Sequence, residues 1–322
     1  MERCKTARDA VDLMCRLVDE YTFNGFEATS CKNLTFVIGD SNEGWIIEVT
    51  DTHWVAKRCP DDGAIYYANQ AQIETEWDLS SDDLISYTVE QGWYDANSGE
   101  PFNYRETYSA GSLGRQGNVL REKRSRELLE PKLGSITVQD LMELHRDHYE
   151  GTKYASTPHA RDLARQICVA STHASQVYHL RSDMPAAMGC VMWIAASSPC
   201  ISVYTPVYAG HDGEMPLEWK TGWDFFNPNS AWWTFEQIQR IVAPGTPDRP
   251  FKKEAWSDIR TIFDLTEKKE FLLTGLLEKK ALKHWELGEK DLAHDLLTKY
   301  TCRRLLSNLR TAQTVLHGLI DE

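Results

Sequence analysis

No run of apolar residues in this chain reaches the ~18 needed to cross a bilayer, so no membrane partner is expected. The start, Met1-Glu2-Arg3-Cys4-Lys5, is charged and leads straight into a helical pattern, so no secretory signal is visible. Basic charge is in deficit, with 48 acidic against 35 basic residues and a formal net charge of −13. Such a chain repels a phosphate backbone, so nucleic acid is not an expected partner. The eight cysteines (Cys4, Cys15, Cys31, Cys59, Cys168, Cys190, Cys200 and Cys302) contain no CxxC or other metal-ligand spacing, so no metal is expected. The glycine-bearing stretch Gly111–Gly117 lacks GxGxxG and no strand precedes it, which excludes a phosphate cradle; no cofactor is expected. Internal repeats and low-complexity tracts are also absent.

What is present describes a folded protein. Hydrophobic residues make up 42% and aromatics 11% of the 322 residues, too many for a disordered chain. Eleven tryptophans suggest aromatic layers or an aromatic-lined cleft. Free cysteines in apolar strands behave as small hydrophobes, and a reducing cytoplasm is the plain expectation. A missing true start would take any targeting signal with it.

Periodicity predicts a helix from Thr6 to Tyr21, with Ala7, Ala10, Val11, Met14, Leu17 and Val18 on one stripe. Strands are predicted at Leu34–Gly39, Gly44–Val49, His53–Arg58 and Ala64–Ala68, close enough to form an antiparallel sheet. Ser80 and Ser81 should cap a helix running to about Gln91. A loop is expected over Asn97–Gly117, followed by a basic helix over Asn118–Leu129. Thr137, with Asp140 three residues on, should cap a helix reaching about His148.

A second block of strands is predicted at Gln166–Ala170, Gln176–Arg181, Met188–Ala195 and Cys200–Tyr204. From Trp232 onward the pattern is helical and Leu-rich (Leu272, Leu276, Leu282, Leu292, Leu305, Leu309, Leu316), with Gly288 as the break in a helical hairpin. The basic residues from Lys268 to Arg310 read as a solvated helix face. His145 and His148 have a spacing that permits metal binding on a helix, but no carboxylate completes a zinc-protease pattern. The order of elements indicates an α+β fold with sheets packed face to face and helices outside.

Several stretches together resemble the dipeptidase A family of cysteine-type N-terminal-nucleophile (Ntn) hydrolases and the related secernins. Lys5–Val11, Glu43–Val49 and His53–Arg58 carry the resemblance, the last two most strongly. Pro60-Asp61-Asp62, Ala68-Asn69-Gln70, His148–Thr152, Thr157-Pro158-His159, Arg165–Cys168, Leu180–Pro185 and Tyr204–Gly210 continue it in order. The resemblance implies an Ntn-hydrolase αββα sandwich over residues 1–230, with a helical region over 231–322 packed on it. It also implies hydrolysis of short peptides.

In that family the nucleophile is a cysteine at the mature N-terminus, whose own α-amine serves as base. The family's nucleophile strand should precede the helix that here begins at Thr6. Cys4 stands before a helix rather than leading a strand, so the expectation is a body without its nucleophile, incomplete at the N-terminus and inactive alone. A homo-oligomer or a complementing N-terminal segment would then be a partner, beside a dipeptide substrate. A non-catalytic, secernin-like peptide-binding or interaction protein is the alternative.

The resemblance implies site residues as well. Asn69 would aim its amide at the scissile carbonyl as an oxyanion donor, where the plain alternative is a turn residue. Arg121 and Arg124, one helical turn apart, would orient the nucleophile or clamp a substrate carboxylate, unless they belong to a solvated basic face. His53, Trp54 and His159 are candidate substrate contacts. A strand alternates its faces, so only one of His53 and Trp54 is expected to point into the core.

Overall fold

The computed structural model describes residues 3–22, 33–50, 52–109, 114–160, 164–222 and 224–321. Cys31 and Gly111-Ser112-Leu113 lie outside them. Two compact units divide the chain, residues 1–135 and 136–322. Each carries helices and an antiparallel sheet, as an α+β chain should.

In the first unit, helix α1 (Ala7–Tyr21) is capped by Thr6, whose hydroxyl accepts from Asp9 N at 3.1 Å. Its stripe of Ala7, Ala10, Val11, Cys15 and Val18 is buried. Strands β1 (Asn33–Gly39), β2 (Gly44–Thr50), β3 (His53–Arg58) and β4 (Leu79–Ser80) pair antiparallel in sequence order. The α1 stripe packs on Trp45, Ile47, Val49, Trp54 and Ala56 of β2 and β3. The opposite face, with Ile46 and Val55, packs on Leu84, Phe102 and Tyr104.

Both faces of β3 are therefore covered, and His53 and Trp54 are both buried. This corrects the expectation that only one of them faces a core. Trp54 faces α1, while His53 stacks on Tyr87 with ring centroids 4.2 Å apart.

Residues 64–68 do not form the predicted strand; only a bridge between Ala68 and Gln70 remains. The free edge of β3 is taken instead by β4, through Val55↔Ser80 and Ala56↔Leu79. Ser81 does not cap a helix either, because its hydroxyl accepts from Trp54 N at 2.9 Å. Helix α2 (Leu84–Glu90) starts later, after Asp83, without a side-chain cap. The predicted 97–117 loop contains a short helix, α3 (Tyr104–Ser109), which stacks Tyr104 on Tyr108 one turn apart. Helix α4 follows at Gln116–Leu129.

The second unit opens with α5 (Val138–Arg146), where Thr137 and Asp140 form a reciprocal capping box. From 147 to 173 the described residues contain neither helix nor strand, so the predicted strand at Gln166–Ala170 is absent. Side chains take up that segment's backbone groups. Gln166 Oε1 accepts from His159 N, and Gln166 Nε2 donates to the Thr157 carbonyl.

Strands β5 (Ala174–Leu180), β6 (Cys190–Ala196) and β7 (Thr205–Tyr208) pair antiparallel, with the short helix α6 (Ala186–Gly189) leading into β6. The strand expected at Cys200–Tyr204 is a 3-10 turn over Pro199–Ile201 followed by an extended lead into β7. Proline at the first position favours that turn.

Helices α7 (Leu217–Lys220), α8 (Ala231–Val242), α9 (Lys253–Glu286) and α10 (Lys290–Asp321) complete the unit. Gly288, at φ +79°, makes the left-handed break between α9 and α10. Leu305, Leu309 and Leu316 are buried as expected, but Leu272, Leu276 and Leu292 are exposed. Helix α9 turns acids inward instead. Arg146 Nη2 donates to Glu267 Oε1 at 2.5 Å, Arg181 forks onto Glu278, and Arg304 forks onto a fully buried Glu270.

Candidate functional site

The turn at Asn69-Gln70 is tied to α4 by three side-chain bonds. Asn118 Nδ2 donates to the Asn69 main-chain carbonyl at 2.8 Å, and Arg121 Nη2 donates to Asn69 Oδ1 at 2.7 Å. Gln70 Nε2 donates to Glu122 Oε2 at 3.0 Å. A guanidinium can only donate, so it fixes the orientation of the Asn69 amide: the carbonyl end faces Arg121 and the NH2 end is left over. Asn69 is exposed, so that NH2 group can reach a ligand.

Arg121 itself is heavily engaged. Nη2 also donates to Asn118 Oδ1 at 2.8 Å, and Nε donates to the Gly117 carbonyl at 2.9 Å. This suits a residue that orients Asn69 more than one that clamps a free carboxylate. Arg124, on the same helix, lies 3.6 Å from Glu127. The chain just beyond the turn is held by Glu48 of β2, which accepts from Gln72 N at 2.6 Å and Ile73 N at 3.1 Å. Burial pushes the Glu48 carboxyl up to about 7, against the pull of those two N–H groups and of Arg105.

His53 and Trp54 line an open cleft of about 530 Å³ with Asp19, Ser81, Asp83 and Tyr87. Thr52 Oγ1 lies 2.8 Å from His53 Nδ1, and Asp83 Oδ1 lies 3.2 Å from its Nε2. Trp54 Nε1 donates to Asp19 Oδ1 at 2.7 Å. Helix α3 connects this cleft to the Asn69 turn. Tyr108 lies 6.3 Å from His53 between centroids, and the neighbouring Ser109 hydroxyl accepts from Ala71 N at 3.4 Å.

His159, the third candidate substrate contact, belongs to the second unit and is 2% exposed. It sits with His148, Cys168 and Cys200, all buried, whose donor atoms lie within 4.8 Å of one another. Sequence reading missed this group. His145 does not join it, since its Nδ1 lies 2.7 Å from Ser175 Oγ instead.

Cys15 and Cys302 lack the setting of an attacking thiolate. Cys15 lies in the α1 core, where burial and the nearby Asp19 and Asp12 push its thiol up to about 12. Cys4 is half-buried ahead of α1. Cys302 lies 3.5 Å from His211 Nε2, but burial raises its thiol above the ordinary value. In the His/Cys group burial opposes ionisation of both thiols. Cys168 is held well above the ordinary value, and contacts with Cys168, His159 and His148 bring Cys200 well below it.

A family model described as peptidase family C69 matches residues 1–125 and 128–248. The chain belongs to peptidase family C69. Its curated relatives include a "Probable dipeptidase B" of Lactococcus lactis subsp. lactis (strain IL1403), 22% identical over 320 residues, covering 90% of this chain and 64% of the relative. A "Probable dipeptidase" of Salmonella dublin is 30% identical over 200 residues, covering 53% of this chain and 46% of the relative. A "Probable dipeptidase B" of Streptococcus pyogenes serotype M1 is 24% identical over 273 residues, covering 74% and 53%. The chain spans between about half and two thirds of the length of these relatives.

Within this C69 chain four of the six site residues named from sequence fall in two places in the first unit. Asn69 and Arg121 meet directly, and His53 and Trp54 share a cleft in the same unit. Asn118, Glu122 and Glu48, which hold the Asn69 turn, were not singled out. Glu48 carried a usable signal: a lone acid inside the apolar run Gly44–Val49 has to be satisfied by a buried partner.

Proposed function

We propose that this chain is the body of a dipeptidase-like hydrolase that binds short peptides for cysteine Ntn chemistry, and that it does not turn them over by itself. The observation that carries the reading is the Arg121–Asn69 bond, which occupies the carbonyl end of the exposed Asn69 amide and leaves its NH2 end for an oxyanion. In this reading a thiolate attacks the scissile carbonyl and the oxygen charge that develops is met by Asn69. Arg121 acts as its positioning residue, and His53 and Trp54 form a wall of the peptide cleft.

The settings of Cys15 and Cys302, both with thiols raised by burial, and the burial of Cys168 and Cys200 support the absence of turnover. The same reading puts residues 1–230 in an αββα Ntn-hydrolase body with the helices of 231–322 packed on it; an antiparallel sheet in each unit, with helices against it, supports this. Free cysteines favour a reducing compartment. No helix among the described residues is long and apolar enough to cross a membrane.

The test is binding of a dipeptide and of its phosphinate analogue, which carries the tetrahedral oxyanion. The analogue is expected to bind at least ~10²-fold more tightly than the dipeptide, and Asn69→Ala should remove most of that advantage while leaving dipeptide affinity nearly unchanged. Equal affinities for the two ligands, or an advantage untouched in Asn69→Ala, would overturn the role given to Asn69.

A further inference from the structure

Between α5 and β5 the described residues of 147–173 contain neither helix nor strand, a long stretch for a compact unit. Loops of this length without secondary structure are uncommon inside a compact unit and need something to hold them. His148, His159 and Cys168 all lie on this stretch, and Cys200 faces them from the 3-10 turn at Pro199–Ile201.

The chemistry of the four donors is specific. His159 Nδ1 lies 2.7 Å from the main-chain carbonyl of Ala243, an acceptor only, so Nδ1 carries the proton and Nε2 presents a lone pair. That Nε2 lies 3.3 Å from Cys200 Sγ and 3.6 Å from Cys168 Sγ. His148 repeats the arrangement. Its Nδ1 lies 2.9 Å from the Glu150 carboxylate, while its Nε2 is buried with no hydrogen-bond partner. Carboxylate or carbonyl support on one ring nitrogen is what fixes the other as a metal ligand. An unpartnered imidazole nitrogen in a dry interior is costly unless something fills its lone pair.

We propose that His148, His159, Cys168 and Cys200 form a closed tetrahedral zinc site that staples the 147–173 stretch to the Pro199–Ile201 turn. Two imidazoles and two thiolates are a zinc donor set, and four protein ligands leave no position for water or substrate, which makes the site structural and not catalytic. Binding of one divalent cation displaces the protons that the two sulfurs and two imidazoles hold between them, leaving both sulfurs as thiolates and both Nε2 atoms as donors, with no change of oxidation state. The resulting complex is neutral at the metal, as a fully buried site requires. A tight approach elsewhere supports the same staple. Gly245 sits at φ +65°, and a Cβ there would lie 2.8 Å from the His159 carbonyl, so the chain after α8 closes directly over the ligand loop.

A thiolate–imidazolium nucleophile built from Cys200 and His148 is the competing use of the same atoms. Their burial argues against it, because at 1% exposure each, neither side chain can meet a peptide bond.

The experiment uses the full chain, purified without a metal-affinity step. Metal content is read by plasma mass spectrometry, with site-resolved alkylation before and after exposure to a strong chelator. The expected result is about one zinc per chain, with Cys168 and Cys200 protected until the chelator removes it. Cobalt(II) exchanged into the wild-type chain should give thiolate-to-cobalt charge-transfer absorption, a readout that does not depend on any variant folding. Cys302→Ser should keep the zinc, and Cys200→Ser should lose it. Background metal in a folded chain, a Cys168–Cys200 disulfide in the intact mass, or rapid alkylation of Cys200 in the untreated protein would each overturn the proposal.

Discussion

Arg121 donates from Nη2 to the Oδ1 of Asn69 at 2.7 Å, across 52 positions of sequence, and so locks the turn after β3 onto α4. The bond decides which end of the Asn69 amide remains available. Replacing Arg121 by Ala removes this bond and those to Asn118 and Gly117. The expected loss is about 2 kcal/mol of stability by denaturant unfolding. Faster amide exchange around residues 68–72 should accompany it. Arg121→Lys should recover little, because a point ammonium cannot reproduce the fork. Unchanged exchange in both variants would mean that the turn is held without Arg121.

Glu48 makes stability depend on pH in a direction unusual for a carboxylate. Its folded value, pushed up by burial to about 7, lies above its ordinary value of 4.5. The folded state therefore holds the proton over a range where the unfolded state has released it. The contribution is fully present below about 4.5, and it is lost as pH rises through about 7. The shift corresponds to roughly 3 kcal/mol. Measured by chemical unfolding across that window, the fall should be present in the wild type and flattened in Glu48→Gln. Parallel profiles for the two proteins would contradict it.

Glu270 is fully buried and forked by Arg304. Glu270→Ala leaves the partly buried Arg304 guanidinium without its counter-charge and should cost about 3 kcal/mol. Replacing both residues by Met should recover much of that loss. A Glu270→Ala protein that melts with the wild type would show that Arg304 finds another partner or solvent.

Trp54→Phe keeps the ring against α1 and removes only the N–H that reaches Asp19. A loss of about 1 kcal/mol is expected in thermal or denaturant unfolding. A loss several times larger would mean that the indole also closes the cleft by packing.

Local signals in the sequence located much of the fold. The Thr6 cap and α1 stripe, the Thr137–Asp140 capping box and the Gly288 break all sit where their chemistry puts them, because each acts within one or two turns. The failures involve distant partners. Residues 64–68 read as a strand, but β4 occupies the edge they would have needed. His53 and Trp54 read as facing opposite environments, although helices cover both sides of β3.

The site follows the same rule. Asn69 and Arg121 were reached through family resemblance, and their direct bond could not be read from the sequence. The His/Cys group was invisible because Cys168 and Cys200 stand 9 and 41 positions from His159, far from any compact ligand spacing. The usable signal was the length of the aperiodic stretch around His148 and His159, too long to stand without a staple.

The proposal that this C69 chain binds short peptides without turning them over by itself is tested most directly by dipeptide hydrolysis with the purified 322-residue chain, with intact mass read on the same sample. No turnover at the encoded mass is the predicted result. Turnover that a thiol-alkylating reagent abolishes would contradict it and would make one of the chain's own eight cysteines the nucleophile.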